Sequence, residues 1–302
     1  MSIFSAISNL INKITGEKPV ECQPTKEEEV HLPEPLVQAS VPPSFGPVFP
    51  ERASDAVSGS TFANSIITFP ANQTRENLIF KEFTSGNIPD FFKNFVELSI
   101  TLNNYKIKYL VSPDYISIGN DQDFIRMPLS PLTYQKIANE YGCSLPTRKM
   151  VNQIWSAASV KLEPSPNGPP YDATMMGVAA AIKNNAKIEK LRSAHPLGKL
   201  VAGHKKDVVL TKELVTKKNK VAIYGWFYSN GKVIQNLNSQ DHDASYSDYS
   251  HGGRLIYRKV FINDQECDLY DVMKDKTLSY LVSDEGPFDP ENIYENKISS
   301  SM

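Results

Sequence analysis

The hydrophobic positions of this chain recur with different spacings in different regions, and the spacing in each region predicts its structure. In the opening MSIFSAISNLINKITG, residues Ile3, Phe4, Ile7, Leu10, Ile11 and Ile14 fall at helical intervals, and Gly16 supplies a stop. This predicts an amphipathic helix over 1–16. Its polar face is mostly Ser and Asn, which suits docking on a protein partner or contact with a membrane surface. Over 17–57 the periodicity disappears, and Pro19, Pro24, Pro33, Pro35, Pro42, Pro43, Pro47 and Pro50 stand among charges. So little apolar area cannot offset an ordering cost of about 1–2 kcal/mol per residue, so a flexible linker is expected there.

From residue 58 the pattern becomes regular. QTRENLIFKEF reads as a helix closed by Gly86, while VELSITLN and KIKYLVSPDYISIG are rich in Ile, Val and Tyr and read as strands. A helix pair follows. Ser130 is placed as an N-cap with Pro131 at the first helical position, LTYQKIANEY runs to Gly142, and a second helix begins near Pro146 or Thr147. Asp172 caps a third helix over ATMMGVAAAIKNNAKIEKLRS. The last third is β-rich: DVVL, then KVAIYGWFY and KVIQNL about Ser229-Asn230-Gly231, then RLIYRKVFI turning at Asn263-Asp264. The expected fold is a single α+β domain over 58–287, with helices packed on a mainly antiparallel sheet, followed by a flexible tail over 288–302.

Composition narrows the function only slightly. The 302 residues carry 32 basic and 34 acidic side chains, a formal charge of −2, so the global positive field that nucleic-acid binding uses is missing. A helix-turn-helix reading of IANEYGCSLPTRKMV fails on Arg148, which occupies a position that should be apolar. The three cysteines, Cys22, Cys143 and Cys267, are too few and too widely spaced for a disulfide framework or a Cys-rich zinc site. No apolar run is long enough to span a bilayer and no signal peptide is apparent, so a soluble or peripherally attached protein is expected. The motifs imply no cofactor.

Three clusters carry candidate chemistry. Cys143 sits where one helix ends and the next begins, so the second helix's N–H groups could favour a thiolate nucleophile; its alternative is a small buried residue filling a helix corner. In DYSHGG, Asp248 is close enough in sequence to orient the imidazole of His251 as a general base, with Gly252 and Gly253 leaving room for substrate. In AGHKKDVVL, strand alternation sends His204 and Lys206 to one face and Lys205 and Asp207 to the other, so His204, Lys206 and Asp207 become substrate-binding candidates, with Trp226 as a pocket wall. A metal alternative draws on His204, His242 and His251, together with Asp207 and Asp248, and QDHDASYSD resembles the His and Asp spacing of D-Ala-D-Ala peptidases.

The blocks LPTRKMV, AGHKKDVVL, AIYGW and DYSHGGRL resemble those of an uncharacterised group of bacterial proteins, often exported, in the same order over about residues 58–287. The order Cys143 then His251 is also similar to papain-like and NlpC/P60-type cysteine hydrolases. The first likeness implies a shared pocket without naming its chemistry; the second implies an amide or peptide-bond hydrolase, in a bacterial or phage setting, acting on a peptide or peptidoglycan substrate. In this reading Cys143 attacks, His251 moves the proton and Asp248 holds the ring. The alternatives are a non-catalytic structural or binding protein anchored through its first helix, and a metal-dependent hydrolase.

Overall fold

The structure, a computed structural model, describes residues 45–294. The helix expected over 1–16, most of the linker and the end of the tail lie outside the described residues. Helix α1 (Gly59–Ser65) is capped by the Ser58 hydroxyl. Helix α2 (Gln73–Thr84) begins at Asn72, whose side chain accepts from the Arg75 N–H. It buries Arg75, Ile79 and Phe83 at four-residue spacing, which forms one inward stripe. The short helix α3 (Asp90–Lys93) leads into the first hairpin.

Strands β1 (Val96–Leu102) and β2 (Tyr105–Val111) pair antiparallel along their whole length. A small ribbon of β3 (Ser117–Gly119) and β4 (Phe124–Arg126) follows. Helix α4 (Pro131–Glu140) has Ser130 as its N-cap and Pro131 at its start, and Gly142 leaves it at φ +61, in agreement with the sequence reading. Strand β5 (Cys143–Ser144) separates α4 from helix α5 (Arg148–Ala157), which Thr147 caps. Strand β6 (Val160–Lys161) comes next. The third predicted helix is interrupted: a 3-10 turn over Ala173–Met176 gives way at Gly177 to α6 (Val178–Arg192).

Strand β7 (Val201–Ala202) pairs parallel with β6. Strand β8 (Lys206–Val208), the short helix α7 (Glu213–Thr216), β9 (Ile223–Phe227), β10 (Val233–Asn238) and β11 (His251–Gly252) follow. They supply a four-stranded sheet in the order β10-β9-β8-β11, antiparallel except for β11 against β8. The last strands are β12 (Ile256–Tyr257), β13 (Lys259–Ile262) and β14 (Gln265–Asp268), before helix α8 (Leu269–Lys274). They join β1, β2 and β5 in a six-stranded sheet, where β2 pairs with β1, β13 and β12. Asn263 and Asp264 both have positive φ, +48 and +67, as a two-residue hairpin turn between β13 and β14 requires.

The chain is thus α+β with mainly antiparallel sheets, and one large apolar core joins both sheets to the helices. Packing extends beyond 58–287 in both directions. Phe49 lies 4.5 Å from the Tyr141 ring and 6.1 Å from that of Phe83, and Phe288 and Tyr294 are buried. Aromatic side chains spaced through a Pro-rich stretch are sufficient to pin it to a core, which a reading by composition overlooks.

Candidate functional site

The polar centre of the molecule is built where β8 meets β11. Their parallel register sets His251 opposite Lys206 and Gly252 opposite Asp207. Tyr115 stands at the hub: its hydroxyl donates to Asp207 at 2.9 Å, its ring meets that of His204 edge-on at 5.0 Å, and Arg254 lies 4.3 Å from the ring centre. Beside it, Asp114 accepts two hydrogen bonds from Arg126, at 2.9 and 2.6 Å, and Arg126 also reaches Glu189 at 2.7 Å. Buried charges at this spacing are paired and hydrogen-bonded, as burial demands.

Several polar atoms in this centre remain unsatisfied. His204 Nε2 is 3.3 Å from Asp114 Oδ1 but is not aligned for a hydrogen bond, and Arg254 Nε approaches Asp207 Oδ1 only to 3.7 Å. Both ring nitrogens of His204 and of His251 lack hydrogen-bond partners among the described residues. Burial drives the ring pKa down to about 4 at both histidines, so both are neutral at pH 7. Burial likewise raises Asp207 to about 6 against the opposing pull of Arg254 and Tyr115. It also lowers Lys205, whose ammonium donates to Asn184 and Tyr249, to about 7.

The expected triad does not assemble here. Cys143 lies in the six-stranded sheet opposite Tyr257, fully buried, and its thiol donates to the Tyr141 carbonyl at 3.5 Å. Burial raises the thiol pKa, which disfavours the thiolate a nucleophile needs. A cavity of about 240 Å³ beside it is lined by Gln135, Asn139, Arg258 and Tyr270, and no histidine lines it among the described residues. Asp248 does not hold the imidazole: Oδ1 accepts from the Ser250 N–H and hydroxyl at 2.7 and 2.6 Å, and Oδ2 from Tyr246 at 2.9 Å. The acid caps its own turn, a common use of Asp two residues before a bend. Gly252 and Gly253 make room for protein rather than substrate. A Cβ on either would fall 2.5 or 2.2 Å from the rings of Tyr115 or Tyr134.

The substrate-binding candidates separate as well. Strand β8 begins only at Lys206, so alternation does not reach His204, and His204 and Asp207 both face Tyr115. Neither is accessible, at 1% and 3% exposure. Lys206 is half-buried with its ammonium 5.0 Å from the Trp226 ring centre. Trp226 adopts φ +62 within β9 and donates from Nε1 to the His204 carbonyl. The metal set fails too, because no three His, Cys, Asp or Glu side chains among the described residues converge on one point.

An accessible hollow lies next to this centre. A cleft of about 360 Å³ opens between the start of α2 and residues 241–247, lined by Arg75, Glu76, Met176, His242, Tyr246 and Ser247 among others. His242 stacks on Tyr246 at 3.8 Å with 8° between the planes, and Tyr246 also meets the buried His251 ring edge-on at 5.6 Å. Tyr246 is therefore the wall between cleft and polar centre. Of the sequence candidates only His242 lines the cleft. Arg75 was missed although its signal was present: it occupies the same helical stripe as Ile79 and Phe83, where an apolar residue is the norm. The chain matches no protein-family model, no curated protein and no solved structure.

Proposed function

We propose that the chain is a peptide-binding protein whose ligand, a short polar peptide with charged termini, lies in the cleft between α2 and residues 241–247. One observation carries this reading. The cleft is lined by groups of both signs, Arg75 and Glu76 from α2 and Asp241, His242 and Asp243 from the facing segment, together with the apolar side chains of Leu132 and Met176. A zwitterionic peptide matches that layout, whereas an apolar ligand would leave the charges without partners. The cell-wall peptide expected from the sequence belongs to this class, and anchoring through the first helix completes the proposal. Binding is preferred to thiol hydrolysis because Cys143 is buried and no histidine lines the cavity beside it among the described residues.

A second reading, amide hydrolysis, is favoured by one contact. Tyr246 faces the cleft, donates to Asp248 and packs on His251, so the cleft is one side chain away from a carboxylate and an imidazole. A single experiment addresses both. The full chain is melted with increasing amounts of a randomised tripeptide pool with free termini, and the mixture is then analysed by mass spectrometry. Binding raises the melting temperature with dose, less in His242→Ala and equally in Cys143→Ala, with the peptides intact. No rise at millimolar pool removes the binding reading, and cleaved peptides replace it with hydrolysis.

A further inference from the structure

Arg75 is the most conspicuous unpaired group facing the cleft. Its side chain is 2% exposed, yet only Nη1 has a partner among the described residues, the Met176 carbonyl at 2.8 Å; Nε is buried with none. The neighbouring Glu76 acts on it through space but makes no hydrogen bond or ion pair with it among the described residues, because both Glu76 oxygens accept from Ser130, which caps α4, at 2.9 to 3.2 Å. A guanidinium withdrawn from water, oriented by one carbonyl and left with a free edge, is a costly arrangement unless something completes it. Two further features point to what completes it. Ser247 Oγ, also buried and unpartnered, lines the same cleft. So do Asn72 and Gln73, the cap and first residue of the twelve-residue helix α2, whose N-terminal dipole end favours negative charge.

We propose that Arg75 is the anchor for the free C-terminal carboxylate of the bound peptide, taken by the Nε side of the guanidinium with Ser247 beside it. This rests on the peptide-binding reading and adds the end of the peptide that is recognised. The fork of donors along one edge of arginine matches the two oxygens of a carboxylate, which an amide cannot reproduce because its NH₂ presents further donors. The peptide's ammonium then lies toward Asp241, an exposed acid that lines the cleft and accepts only from the neutral Asn238 amide at 2.5 Å among the described residues. Asp243, beside it, is already paired with Lys220 at 2.8 Å.

The test compares two ligand pools on the unmodified full chain by calorimetry: randomised tripeptides with free C termini, and the same pool amidated at the C terminus. The free-acid pool is expected to bind about tenfold more tightly or better, the usual weight of a charge-assisted pair. Arg75→Gln should abolish that preference, and Arg75→Lys, which keeps charge but loses the fork, should retain only part of it. Equal affinity for both pools on the wild-type chain overturns the carboxylate anchor and leaves peptide binding standing. Binding of neither pool overturns both. A preference that survives in a folded Arg75→Gln chain assigns the carboxylate to another group and overturns the role of Arg75. The wild-type comparison decides the matter even if both variants fail to fold.

Discussion

The two sheets of this protein treat buried polarity in opposite ways. In the six-stranded sheet the buried positions include Leu98, Ile107, Tyr109, Leu110, Val111, Ile256 and Val260, and polar groups are satisfied, with Tyr109 donating to Gln153 at 2.8 Å and Ser144 to Leu145 at 2.9 Å. The four-stranded sheet and the loops leading to it bury His204, Lys205, Asp207, His251 and Arg254, and leave nitrogen or oxygen atoms of four of these without hydrogen-bond partners among the described residues. Cys143 belongs to the first environment and His251 to the second, which is the physical reason that they do not form a catalytic pair. A sheet packed by hydrocarbon gains stability directly from burial. One that encloses titratable groups must hold them in pairs, and it pays in acid and alkaline sensitivity.

The largest expected contrast is between the buried polar centre and the six-stranded sheet, and it comes from breaking the ion pair of Arg126, on β4, with Asp114. Arg126→Met leaves Asp114 charged and enclosed and should destabilise the chain by about 3–5 kcal/mol, whereas Ile107→Val in the six-stranded sheet should cost about 1 kcal/mol. Urea unfolding of both variants at pH 7 measures the difference, and equal losses would erase the contrast. Acid should follow in size. The unfolded imidazoles keep a pKa near 6.5, while His204 and His251 in the folded chain are near 4. The unfolded state therefore binds protons first, and stability that is complete above about pH 6.5 is lost as pH falls toward 4, on the order of 3 kcal/mol per ring. Asp207 acts in the other direction. Its folded pKa near 6 lies above its ordinary value, so its contribution is present at low pH and fades as pH rises through 6, which blunts the acid loss without cancelling it. Urea midpoints across pH 4–7 should fall toward acid, and less steeply in His251→Phe.

Lys205 gives a smaller effect on the alkaline side. Its folded pKa of about 7 lies below the unfolded value of 10.5, so the unfolded chain holds the proton more tightly and stability should rise from pH 7 to 8.5 by about 2 kcal/mol. That rise should vanish in Lys205→Met. Smallest of all, Cys143→Ala should cost about 1 kcal/mol from lost packing and leave peptide affinity untouched; a loss of ligand binding with the fold intact would return the thiol to the functional site.

Much of the fold could be read from the sequence because its signals are local. Ser130-Pro131 and Gly142 mark α4, the four-residue spacing of apolar positions marks α2, and Asn263-Asp264 marks a hairpin, each through the chemistry of adjacent residues. The candidate site could not be read in that way. The parallel pairing of β11 with β8 joins residues more than forty positions apart, and nothing in DYSHGG states that Asp248 caps its own turn or that Tyr115 and Tyr134 fill the space above its glycines. Nor does AGHKKDVVL reveal that its strand starts at Lys206, so the alternation assigned to His204 reaches two residues too far. Arg75 was legible in principle, as a charge on an apolar stripe, but a lone helical arginine acquires meaning only when its partners are seen to be missing.

The most direct test of the central claim is to map where peptide binds. Backbone amide shifts of the isotope-labelled full chain, followed during titration with the free-acid tripeptide pool, should move at residues 72–76 and 241–247. Shifts confined to the cavity around Cys143, Arg258 and Tyr270 would contradict it and return the functional surface to the six-stranded sheet.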